Sequence, residues 1–144
     1  MRSRTLIVSA LVALASAFAV GASAQEVRHI NPNSASNSGG SPFSGAVMVG
    51  NTLYLSGVLG RGDTGEEAAR AALDSMRGTL EQAGMTMDDL VNVQIFAADL
   101  EDYAAFNSVY RSYFTREFPA RAFVGAGSLL ANARFEVIGI AARR

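Results

Sequence analysis

The chain has 144 residues, room for one domain, and carries 12 basic against 13 acidic side chains. It contains no cysteine, lysine or tryptophan, and its only histidine is His29. Disulfides, cysteine nucleophiles, lysine Schiff bases and zinc sites of His/Cys type are thereby excluded, and a serine nucleophile would lack its base unless His29 folded back.

The chain opens with an export pattern. Arg2 and Arg4 precede the apolar run LIVSALVALASAFAV (6–20), and Ala22-Ser23-Ala24 before Gln25 reads as a cleavage site. A retained membrane anchor is the competing reading, but the run is built largely of Ala and Ser and has no stop-transfer flank. The expectation is a signal peptide over 1–24, a periplasmic or secreted product, and no stable membrane association after cleavage. Losing Arg2 and Arg4 leaves a net charge of about −3. No basic stripe remains to neutralise phosphates, so nucleic acid is not expected as a partner.

Residues 25–41, with NPNSASNSGGSP (31–42) at their centre, read as a flexible linker, and the folded domain is expected over 42–144. AVMV (46–49) and TLYLS (52–56) flank Gly50-Asn51, a two-residue hairpin signal. GVLGRGDTG (57–65) reads as a loop. Thr64 and Glu67 form a capping box for a helix whose inner stripe is Ala69, Leu73, Met76, Leu80 and Ala83, with Gly84 as its stop.

VNVQIFA (91–97) alternates as a strand, with Val91, Val93, Ile95 and Ala97 on one side. Asp99 is expected to cap a second helix with a core stripe of Tyr103, Phe106, Tyr110 and Tyr113 or Phe114. That helix must end before Pro119. RAFVGAG (121–127) and RFEVIGIAA (134–142) are the last strands; on the second, Phe135, Val137, Gly139 and Ala141 oppose Glu136, Ile138 and Ile140. The class is α+β, with two helices on one face of a sheet. The sheet's other face is also apolar and needs a cover, which a homo-oligomer packing sheet on sheet would supply.

The chemistry concentrates in two charges set within apolar strands. Arg121 either closes the sheet end by pairing with Glu136, or snorkels to water, or holds its guanidinium fork ready for a carboxylate. Glu136 is either that structural partner or a base that orders a water and moves its proton. Ser56-Gly57 offers a hydroxyl and a backbone N–H, or only a hairpin exit. The remaining carboxylates, Glu66, Glu67, Asp88, Asp89, Glu101 and Asp102, fall at caps and turns, and no metal site is expected.

From about Pro42 to Arg144 the sequence resembles the Rid (YjgF) family of imine deaminases. The match rests on SPFSGAV (41–47), GNTLYLSG (50–57), VNVQIFAADLEDYAAFNSVYRSYF (91–114) with Asn107 and Tyr110, FPAR (118–121) and FEVIGIAA (135–142). The resemblance implies a chorismate-mutase-like fold with a mixed sheet, and a homotrimer forming a central barrel with ligand sites at subunit interfaces. It also implies hydrolysis of 2-imino acids, formed from enamines such as 2-aminoacrylate, to 2-keto acids and ammonia, with no cofactor. On that likeness Arg121 binds the substrate carboxylate, Glu136 positions the water, and Ser56 lies in the strand-ending Ser-Gly. Phe43 stands where many members have tyrosine, Phe123 where cytosolic members often have cysteine, and Val58 where glutamine is common. The phenylalanines are expected to shrink the pocket or change its preference, and they motivate the alternative of a non-catalytic carboxylate-binding or holdase-type trimer.

Overall fold

The computed structural model describes residues 24–31 and 40–143. The expected leader, Ala24 apart, and residues 32–39 of the expected linker lie outside the described residues.

Six strands form one mixed sheet in the order β1-β2-β3-β6-β4-β5. They are β1 (Val27–Ile30), β2 (Ala46–Val49), β3 (Thr52–Gly60), β4 (Leu90–Ala97), β5 (Ala120–Gly125) and β6 (Phe135–Ala142). All neighbours are antiparallel except β4 and β5. That parallel pair needs a crossover, which α2 (Tyr103–Tyr110) supplies. The longer helix α1 (Gly65–Gln82) packs on β3, β6 and α2.

Two expectations are corrected here. Residues 27–30, assigned to the linker, form β1, because their backbone pairs with β2 from Val27 opposite Val49 to Ile30 opposite Ala46. Residues 57–60, expected in a loop, continue β3. A register shift between Leu55 and Val58 absorbs Ser56-Gly57 as a bulge, and pairing with β6 then resumes.

The hairpin forms as expected, and of its two turn residues only Gly50 takes positive φ, at 57°. The α1 capping box forms in both directions: Thr64 Oγ1 accepts from the Glu67 N–H at 3.2 Å, and Glu67 Oε2 accepts from the Thr64 N–H at 3.2 Å. Ala69, Leu73, Met76 and Leu80 are fully buried along the predicted stripe. At the other end of α1, the Ala83 carbonyl accepts from Arg143 at 2.8 Å and from Arg28 at 3.5 Å. Two cations from distant strands thus complete a helix C-terminus that has no basic residue in its own last turn.

On β4, Val93, Ile95 and Ala97 are buried as expected, whereas Val91 is exposed. A register shift between Leu90 and Asn92 turns Leu90 inward in its place. Asp99 accepts from the Glu101 N–H at 2.9 Å and caps a 3-10 turn, Leu100–Asp102, that leads into α2. Arg134, just before β6, ties to that turn through an ion pair with Asp102 at 2.7 Å.

Phe106 and Phe135 meet edge to face at 4.8 Å in the core between α2 and the sheet. Burying each contributes roughly 1.5–3 kcal/mol. The α2 stripe is Phe106, Val109 and Tyr110, while Tyr103 is half exposed. On β6 the alternation is as predicted: Phe135, Val137, Gly139 and Ala141 are buried toward the helices. Glu136, Ile138 and Ile140 are only partly buried on the face that no helix among the described residues covers. Tyr54, Asn92, Gln94, Ile138 and Ile140 line a shallow hollow of about 190 Å³ there.

Candidate active site

The sheet register decides how the two singled-out charges relate. Arg121 pairs with Val93, which pairs in turn with Gly139, so its side chain rises on the helix-covered face. Glu136 pairs with Phe96 and Leu59 and points to the open face. Side chains alternate strictly along a strand, so Glu136 and Gly139 cannot share a side. The intrachain Arg121–Glu136 pair therefore does not form. This removes one of the structural readings of Arg121.

Arg121 instead lies under α2. Its Nη1 donates to Asn107 Oδ1 at 2.7 Å, and its guanidinium carbon sits 5.0 Å from the Tyr110 ring centre and 5.8 Å from that of Tyr103. Tyr103, Asn107, Tyr110 and Arg111 follow at helical spacing, which turns them toward one cavity. With Phe118, Pro119 and Arg121 they line a space of about 230 Å³ to which no carboxylate among the described residues contributes. An amide oxygen orients the guanidinium without neutralising it, and aromatic faces favour the cation. An arrangement of this kind can accept an anion without rearranging.

Tyr110 is part of the cavity wall. Its ring is buried, and its hydroxyl has no partner among the described residues. Burial pushes the phenol up to about 12, against the opposing pull of Arg121, so at neutral pH it keeps its proton. The loop leading to β5 is held by Asp88, whose carboxylate accepts from the Thr115 hydroxyl, the Thr115 N–H at 2.9 Å and the Arg116 N–H at 3.3 Å. Those bonds, the Thr115 hydroxyl first, hold the Asp88 pKa below its usual value.

Glu136 belongs to a different cluster. Its carboxyl group lies over Gly57; a Cβ there would come within 3.0 Å of Glu136 Cδ and closer still to Oε1. The glycine at the bulge is thus what lets the carboxylate lie flat on β3. Ser56 is beside it, but its hydroxyl donates to the Ser44 carbonyl at 2.7 Å, leaving the oxygen only as an acceptor. Phe43, the residue before Ser44, is half exposed. The structure thus groups Ser56, Gly57 and Glu136 on the open face, with Arg121 on the other.

Phe123 shares the Arg121 side of β5 but does not line its cavity. Its ring packs edge-on against Tyr103 at 5.0 Å and Phe106 at 5.6 Å, so it extends the core instead of narrowing the cavity beside Arg121. Arg111 escaped the sequence reading altogether. Its position four residues after Asn107 was the available signal. Among the described residues no group of His, Asp and Glu is arranged to hold a metal ion.

The family model described as Endoribonuclease L-PSP matches residues 35–143. The chain belongs to this family, the YjgF or Rid group. Among its YjgF relatives, a 2-iminobutanoate/2-iminopropanoate deaminase from Dermatophagoides farinae is 39% identical over 107 residues, covering 69% of this chain and 84% of the relative. A protein of the same name from Escherichia coli is 34% identical over 113 residues, covering 72% and 88%. The solved YjgF gene product of Escherichia coli superposes with a TM-score of 0.69 at 31% identity, covering 72% of this chain and 89% of that one. The mixed six-stranded sheet with two helices on one face is the chorismate-mutase-like fold of these neighbours. Imine deamination is the activity for which the family relatives are named.

Proposed function

We propose that this YjgF protein hydrolyses 2-imino acids to 2-keto acids and ammonia. The observation that carries the reading is a partly buried guanidinium, oriented by Asn107 in a cavity without a carboxylate. Arg121 grips the substrate's carboxylate, each charge-assisted hydrogen bond contributing roughly 1.5–3 kcal/mol. A protonated imine carbon is already electrophilic, so the protein need only fix the acid and place a water. Glu136 takes a proton as the water oxygen bonds to that carbon. It returns that proton to the nitrogen and takes up the hydroxyl proton as the carbon–nitrogen bond of the resulting amino alcohol breaks, leaving the keto acid and ammonia.

One chain cannot bring these two residues together, since they face opposite sides of its sheet. Arg121 sits on β5, an edge strand, and Glu136 on the face that no helix covers. We place the complete site where the β5 edge of one copy meets the open face of another, in a homotrimer. The same cover answers the exposed apolar surface. If residues 1–24 are removed on export, the reaction runs in the periplasm or outside the cell; N-terminal sequencing of the secreted protein should then begin at Gln25.

The test generates 2-iminopropanoate enzymatically and follows its decay. The wild type should accelerate decay, while Arg121→Ala should lose roughly tenfold to a hundredfold in kcat/KM and stay folded. Decay at the buffer rate with folded wild type would remove this substrate class. Saturable binding of 2-oxobutanoate without turnover would favour instead the non-catalytic carboxylate binder.

A further inference from the structure

We propose that the Arg121 cavity is built for 2-imino and 2-keto acids carrying a second carboxylate, which Arg111 binds; the inference rests on the carboxylate reading of Arg121 given above. Arg111 and Arg121 line the same cavity of about 230 Å³, and no Asp or Glu lines it with them. Among the described residues neither guanidinium makes an ion pair. Arg121 lies over the Tyr110 ring at 5.0 Å, and Arg111 lies over the Phe118 ring at 5.8 Å. Those two rings stack on each other at 6.1 Å with 22° between their planes. The cavity therefore has one aromatic wall with a cation at each ring.

A monocarboxylate would neutralise only one of these cations and leave the other uncompensated beside it. A diacid satisfies both. The volume corresponds to roughly seven or eight waters at about 30 Å³ each, the scale of a small aliphatic diacid.

The experiment is titration calorimetry of the full chain with 2-oxobutanoate and with oxaloacetate, 2-oxoglutarate and 2-oxoadipate, at low salt. At least one diacid should bind about tenfold or more tightly than the monoacid. Arg111→Gln should bring that ratio to within about twofold of unity, and Arg111→Lys should keep part of it. Added salt should erode the diacid advantage in the wild type, since Arg111 is solvent-exposed. Equal affinity for mono- and diacids, or a ratio that survives Arg111→Gln, would overturn the second subsite while leaving the deaminase reading intact. Failure of every acid to bind would remove the Arg121 carboxylate site and this inference together.

Discussion

A phenol whose hydroxyl is buried without a partner among the described residues, as Tyr110's is, gains nothing for the fold from its oxygen. Tyr110→Phe should leave the melting temperature unchanged or raise stability by up to about 1 kcal/mol, as a thermal melt would show. The pH dependence has a definite sign. Burial raises the folded pKa of Tyr110 to about 12, above the ordinary value of 10.0. Tyr113 rises to a similar value through burial and its hydrogen bond to Asp74. Their contribution is therefore whole below about pH 10 and is lost as pH rises toward about 12. Denaturant midpoints compared at about pH 9 and about pH 11 should fall for the wild type, and fall less for Tyr110→Phe.

At the level of elements, the β3 bulge governs where Glu136 can lie. Gly57→Ala would put a methyl group where the carboxyl group now rests. The obstacle is the end of a flexible side chain, so the fold should survive and the glutamate should swing aside. Imine hydrolysis is then expected to lose kcat with little change in 2-oxobutanoate affinity; equal loss of both would show that the bulge shapes the acid site too. The bulge also explains a misreading. Glycines at 57, 60 and 62 look like a loop in sequence, and only pairing with β6 some eighty residues later makes residues 57–60 a strand. Strand β1 was invisible for the same reason, since four residues of mixed polarity acquire their structure from β2. The helices were more legible because a capping box and a 3.6-residue stripe are local. Val91 broke the strand alternation through a register slip that no local pattern announces.

For the whole molecule, the sequence exposed Arg121 and Glu136 as charges out of place but not their disposition. Which side each faces depends on three strands in register, a long-range property that no local pattern encodes. The open face that carries Glu136 should be an interface. Ile138→Glu, in the middle of the hollow beside Tyr54 and Ile140, should lower the molar mass by light scattering toward that of a single chain and abolish hydrolysis with secondary structure retained. An assembly that tolerates the charge would place the contact elsewhere.

On the intersubunit reading proposed above, opposite-facing Arg121 and Glu136 should also make the protein capable of complementation. A chain crippled as Arg121→Ala still brings a sound glutamate, and one crippled as Glu136→Gln still brings a sound arginine. Unfolded together and renatured as hybrids, the two inactive proteins should regain part of the lost turnover, because some junctions would unite the undamaged half of each.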